Sequence, residues 1–349
     1  MELLKSTIEK IKGLDETTMT GAKDRMDNLI KPVGSLGRLE ELAVQLSGIT
    51  SNMHPDVKKK AVIVMSADNG VCCEGVAAAP PVVTLMMTNH IANGVSGMAS
   101  IAKTAGAGVV VVDIGVDGDV QNEKVVARKV RYGTGNIAEG PAMTREEAIK
   151  GIEVGIEVAS EQIKNGVKLI ATGEMGIGNT TTSTAVLSVL SGVHPSEITG
   201  VGANLPGDKI AHKVEVIQKA IAVNNPDRND PLDILSKLGG LDIAGMAGIM
   251  LSCAASRIPC VVDGYISTVA ALLACRICPD VKDFLIPSHA SFEKGSVLAA
   301  ELLGLRPMLH MDMRLGEGSG AALAFGIIDA AAAISKDMIT FAEAGIGTV

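Results

Sequence analysis

Ala61-Val62-Ile63-Val64-Met65, followed at Asp68-Asn69-Gly70 by a small polar cluster, is a run of strand length with no polar face. The arrangement recurs at 109–112, 167–171, 258–262 and 284–286, closed by Asp113-Ile114-Gly115, Thr172-Gly173-Glu174, Asp263-Gly264 and Ser288-His289. Runs that are apolar on both faces and separated by helical patterns belong to a parallel sheet covered on both sides. The clearest helix is Thr144–Lys164. Thr144 and Glu147 form a capping box there, and Ile149, Ile152, Ile156, Ala159 and Ile163 lie along one stripe. The pattern predicts an α/β fold. Ligands of such sheets bind beyond the carboxyl ends of the strands. Asp68, Asp113 and Asp263 fall at those ends, where an Asp either serves a site or caps the next helix.

The first 50 residues read as helices, with Leu39, Leu42, Ala43 and Leu46 burying one face. Between two of them, Lys31-Pro32-Val33-Gly34-Ser35-Leu36-Gly37-Arg38 is either a surface connector or a basic clamp for a substrate anion or a partner. The start, MELLKSTIEKIKGL, is a short amphipathic helix and lacks the apolar core of a signal peptide. No run reaches ~18 apolar residues, so no membrane span is expected and the chain reads as cytoplasmic.

With 349 residues, 47% of them hydrophobic, the chain buries a large core and is not disordered. Having no Trp, two Tyr and four Phe, that core is aliphatic, and its 16 Met suit adaptable pockets. A net charge of −8 argues against a nucleic-acid partner, which needs a basic face. The six cysteines make no disulfide framework in so long a chain. Cys275 and Cys278 form a lone C-x-x-C in a helical pattern ending at Pro279. No second pair stands at zinc spacing, so neither a metal nor a cofactor is expected.

Two stretches carry candidate chemistry. Arg314-Leu315-Gly316-Glu317-Gly318-Ser319-Gly320 sets one carboxylate among three glycines before the apolar run 321–328. At a helix start the N–H groups are unpaired and the dipole favours an anion, so Glu317 is a poised base or merely a cap. Gly173-Glu174-Met175-Gly176-Ile177-Gly178-Asn179-Thr180-Thr181-Thr182-Ser183 follows a strand and opens a helix, as an anion nest for a monophosphate or as a tight turn without a ligand. Its G-x-x-G-x-G spacing is not the dinucleotide fingerprint, and no Lys follows its last Gly as in a P-loop. Gly202-Ala203-Asn204-Leu205-Pro206 and Lys213 add a turn and a cation. Among the His, only His289 has the context of a pocket, and a satisfied core histidine is the alternative.

Taken together, KPVGSLGRLEELAVQLSG (31–48), ADNGVCCEGV (67–76), GEMGIGNTTTS (173–183), GVGANLP (200–206), GGLDIAGMAGIML (239–251), VVDGYISTVAALLA (261–274), IPSHASFEKG (286–295) and LHMDMRLGEGSGAAL (309–323) resemble the nicotinate-nucleotide:5,6-dimethylbenzimidazole phosphoribosyltransferases, which make the lower-ligand nucleotide of cobamides. The likeness runs nearly end to end. It implies a Rossmann-like α/β domain over 59–330 and a small helical domain from 1–50, to which 331–349 returns. It also implies a dimer, and a metal-free displacement moving ribose 5-phosphate from nicotinate mononucleotide to the base with inversion at the anomeric carbon.

By that resemblance Glu317 is the general base, flanked by Leu315 and Gly316. Residues 173–183, with Gly176, Gly178, Asn179 and Thr180 among them, hold the phosphate and ribose together with Ser291, and Gly202 is a further substrate-binding residue. Glu174, Asn204, Lys213, Asp242 and Asp263 support the site, and Ala79, Pro80, Met87 and Met175 border the acceptor base. Benzimidazole-using members commonly have Asp-His-Gly at 68–70, Ser and Gln at the positions of Ala79 and Met87, and Leu at that of Met175. The chain is similar to a branch, working as a complex of two related chains, that also activates phenol and p-cresol. The partner is accordingly an identical chain or a paralogue. A non-catalytic subunit and a nicotinate mononucleotide sensor are the rival readings.

Overall fold

The computed structural model describes residues 1–346, so the last three residues of the expected C-terminal segment 331–349 lie outside it. Six parallel strands form one sheet: β1 (Lys60–Ala67), β2 (Gly108–Gly115), β3 (Val125–Ala127), β4 (Leu169–Met175), β5 (Cys260–Val262) and β6 (Leu285–Pro287), in the order β3-β2-β1-β4-β5-β6. The chain winds outward from β1 in one direction and then returns to continue from β4. Between those two strands lies the switch point at which doubly wound folds bind ligands.

Alternation along β1 accounts for the two layers. Ile63 and Met65 enter one core with Ile152, Met246 and Ile249 of the helices Arg145–Lys164 and Leu241–Ala255. Val62 and Val64 enter the other with Leu46, Met98 and Phe325. Both faces of each central strand are therefore buried, as the unbroken apolar runs require. The Thr144 capping box is present, and the Arg145–Lys164 helix packs closely on Leu241–Ala255. A side chain at Gly155 or Gly248 would collide with the facing backbone, so the bare glycines set that close approach.

Four elements depart from the pattern read in the sequence. Asp113, Ile114 and Gly115, expected to close a strand, lie inside β2, whose pairing with β1 runs to Gly115. Thr172, Gly173 and Glu174, expected to follow the strand, lie inside β4, because pairing with β1 persists as far as Ser66 and Met175. β3, with three residues, is too short to show a period. Phe284 closes the 3₁₀ turn Pro279–Phe284 ahead of β6.

The small helical layer combines Glu16–Asp27 and Arg38–Thr50 with the end of Ser319–Asp337. Leu29 bridges to Thr340, and Arg25 donates to the carbonyl of Met338 at 2.9 Å. The first helix, Glu2–Lys10, packs instead on Arg145–Lys164 and Leu241–Ala255, where Leu4 is buried. The boundary expected at 330/331 falls within the continuous helix Ser319–Asp337. That helix is long and apolar enough to cross a membrane, but it lies against β4, β5 and Arg38–Thr50. Lys31 pairs with Glu40 at 2.8 Å and Arg38 with Glu41 at 2.7 Å, so both cations of the 31–38 turn are engaged within its own helix pair.

Candidate active site

The turn carrying Glu317 is held in an unusual conformation. Gly316, Glu317 and Gly318 have φ of 81°, 62° and 90°. Glycine adopts these values freely, whereas a residue with a Cβ is held there against about 1–2 kcal/mol. Gly173 of β4 permits the turn to cross: a side chain there would strike the Glu317 carbonyl. Glu317 does not cap the helix that follows it. Asp263 takes that role, accepting from Gly318 N–H at 3.2 Å and Ala321 N–H at 3.0 Å.

Glu317 is thus freed from its own helix and turns toward the start of Gly97–Thr104. Burial pushes its carboxyl above the ordinary range, while the Ser96 hydroxyl and Met98 N–H favour the charged form and Asp263 opposes it. Oε2 is buried without a hydrogen-bond partner.

A second carboxylate group lies at the end of β4. Asn179, the first residue of Asn179–Ser191, donates through Nδ2 to Glu174 and, at 3.2 Å, to Asp242. Burial, with Asp242 and Asp263 nearby, raises Glu174 to about 8. Burial likewise lifts Asp242 to about 6 against the Ile243 N–H. Asp263 is raised by burial and drawn back by His289, 3.9 Å away. The remaining strand-end aspartates hold loops: Asp68 accepts from Asp117 N–H at 2.8 Å, and Asp113 pairs with Lys129 at 2.9 Å.

A cavity of about 270 Å³ brings together Met87, Glu174, Met175, Gly176, Asn179, Thr180, Gly202, Asp263, Ser291, Leu315, Gly316 and Glu317. An adjoining recess of about 50 Å³ shares Gly176, Asn179, Thr180 and Gly202 and adds Ala79, Gly178 and Lys213. The Lys213 ammonium donates to Thr180 Oγ1 at 2.8 Å, and burial lowers it to about 8. Three expected residues lie off these walls. Asp242 stands behind Asn179, Asn204 accepts from Arg314 at 2.7 Å, and Pro80 begins the turn before Val82–Ala92.

Ser96, Tyr265, Glu293 and Arg314 join the site without having been singled out in the sequence. His289, for which a core role was the alternative, lines the cavity. Ser96 carried a signal as an N-cap, and Glu293 stands two residues beyond Ser291. Among the described residues, no three His, Cys, Asp or Glu are grouped to hold a metal ion. All six cysteines are free, with Cys275 and Cys278 at the end of Tyr265–Ile277.

The phosphoribosyltransferase family model DBI_PRT matches residues 11–346. The chain belongs to this phosphoribosyltransferase family. It is 58% identical, over 99% of each chain, to the nicotinate-nucleotide–dimethylbenzimidazole phosphoribosyltransferase of Alkaliphilus metalliredigens. With the protein of the same name from Clostridium acetobutylicum it shares 50% identity, over 98% of this chain and 97% of that one. The crystal structure of CobT from Thermus thermophilus superposes with a TM-score of 0.92 at 38% identity, covering 95% of this chain and all of that one. The phosphoribosyltransferase is therefore a pentosyltransferase on a doubly wound sheet, and its cavity lies at the carboxyl ends of β4, β5 and β6.

Proposed function

We propose that the enzyme moves ribose 5-phosphate from nicotinate mononucleotide to a cobamide lower-ligand base, 5,6-dimethylbenzimidazole or a phenol such as p-cresol, with inversion to an α-riboside phosphate. The observation that carries this reading is Glu317, buried on the wall of a cavity that Met87 and Met175 also line.

In this reaction the acceptor nitrogen or oxygen bonds to the anomeric carbon as the bond to nicotinate breaks. The bonding pair passes to the pyridinium nitrogen, which leaves neutral and needs no proton. The acceptor must lose one, and Glu317 takes it as the new bond forms. Asp263, on the same wall, suits a cationic sugar between two partners, while Glu174 and Asp242 hold Asn179 beside it. Thr180, Gly202 and Lys213 suit the 5-phosphate, beside a helix start that attracts anions. Holding both reactants in one buried space supplies much of the remaining acceleration.

Phenol acceptance draws its support from the wall. Met87 and Met175 offer no strong hydrogen bond to a second ring nitrogen, whereas thioethers pack well against a single ring; Ala79 lies in the adjoining recess with Lys213. The active unit in this reading is a cytoplasmic dimer, with a second copy or a paralogous chain. Exposed Phe292 and Leu315 beside the cavity support a partner there.

The test supplies purified protein with nicotinate mononucleotide and either acceptor, with Glu317→Ala alongside, and separates the riboside phosphates by chromatography. Both products, lost in the variant, support the reading. Silence with both acceptors, even with a paralogous chain added, overturns it.

A further inference from the structure

We infer that Glu293 is a positioning residue for the 5-phosphate: its carboxylate keeps the Lys213 ammonium charged and holds the Gly200–Gly202 turn beside it. The inference rests on the phosphoribosyl transfer proposed above and names the group that sets its affinity for the nucleotide.

Lys213 is 1% exposed, and its two hydrogen-bond acceptors, Thr180 Oγ1 at 2.8 Å and the Gly200 carbonyl at 3.5 Å, are neutral. An ammonium so placed loses hydration that neutral acceptors only partly replace. Two titratable groups face it. Cys72, on the 3₁₀ turn Gly70–Glu74, has a thiol that burial pushes up to about 12, so it carries no charge at neutral pH. Glu293 is the other, and it favours the charged lysine.

Glu293 is 6% exposed on the cavity wall, and its Oε1 is buried without a hydrogen-bond partner. Burial raises its carboxyl, while Lys213, the Gly202 N–H and Arg314 stabilise the anion. Tyr265, which also faces it, is raised by burial and stays neutral. A side chain at Gly200 would collide with Glu293, and Gly202 has a φ of 55°. The turn therefore fits around the carboxylate, and its Gly200 carbonyl accepts from the ammonium that also donates to Thr180. Without Glu293 the ammonium would have no facing anion among the described residues until the substrate arrived.

The experiment measures the affinity of the full-length protein for nicotinate mononucleotide by calorimetry, from about pH 6 to about pH 10, in wild type, Glu293→Gln and Glu293→Asp. The phosphate is already a dianion over most of this range. Wild-type affinity is expected to fall as pH rises through about 8, where Lys213 gives up its proton. In Glu293→Gln this limb moves about one unit lower. In steady-state assays KM for the nucleotide rises, and kcat changes little. Glu293→Asp keeps the charge at one methylene's greater distance and moves the limb in the same direction by less, which tests the point should the Gln variant not fold. A limb that stays in place in the folded variants overturns the inference, as does a wild-type affinity that is flat across the range. A wild type that binds no nucleotide at any pH overturns the proposed reaction itself, a separate outcome.

Discussion

Asp263, just beyond β5, accepts the backbone N–H of Gly318 at 3.2 Å, and so ties the turn bearing Glu317 to the sheet. The same carboxylate takes Ala321 N–H, closing the first turn of Ser319–Asp337. Removing it leaves buried donors unpaired. Asp263→Ala is expected to cost about 2 kcal/mol, read as a fall in the chemical-denaturation midpoint. Because the Glu317 turn loses its anchor, kcat should fall as well. An Ala variant with unchanged kcat would show that Glu317 is placed by other contacts.

Backbone strain at Glu317 separates chemistry from stability. Glu317→Ala and Glu317→Gly both lose the base, so transfer should drop about 10²–10⁴-fold in each. The Gly variant relieves the φ of 62° and should be about 1 kcal/mol more stable than the Ala variant. Equal melting temperatures for the two would place the strain elsewhere.

The Ser96 hydroxyl favours ionised Glu317. A base must be charged to act, so activity falls as pH drops through its pKa. Burial places that limb above the ordinary carboxylate range. Ser96→Ala removes a stabiliser of the anion and should move the acid limb of kcat/KM to higher pH. It also deletes the cap on Ala99 N–H, at about 1 kcal/mol. A stability loss with an unmoved limb would assign Ser96 to the helix alone.

Glu174 couples stability to pH. Its folded pKa of about 8 lies above the ordinary value of 4.5, so the folded state holds a proton that the unfolded chain releases. The stability this confers is full below about 4.5 and is lost as pH rises through 8. Glu174→Gln carries no such charge and keeps an acceptor for Asn179. It should gain about 2 kcal/mol on wild type at alkaline pH, and its melting temperature should vary less between neutral and alkaline buffers. Parallel pH profiles for the two proteins would mean that Glu174 is ionised throughout.

Acceptor choice tests the thioether wall. Met87→Gln with Met175→Leu should lower kcat/KM for phenol relative to 5,6-dimethylbenzimidazole by about 10-fold, the scale of small changes in an apolar pocket. Phenol has a pKa near ~10, so Glu317→Gln should cost more with phenol than with the benzimidazole. An unchanged acceptor ratio in the double variant would remove Met87 and Met175 from the account.

Much of this protein was determined by local sequence. Period-2 alternation places Ile63 and Met65 in one core and Val62 and Val64 in the other, and apolarity on both faces demands a covered parallel sheet. The Thr144 capping box needs only residues three apart, and the Gly-rich stretches at 173–183 and 314–320 announced turns beside helices. The tertiary structure alone decided which group each turn would serve. Asp263 meets Gly318 across 55 residues, Asn179 meets Asp242 across 63, and Lys213 meets Thr180 across 33. Such pairings leave no period in the chain, because strand order and helix packing create them. For the same reason the helix after Glu317 is capped by an aspartate from beyond β5, and Glu317, released from that duty, is left buried on the cavity wall.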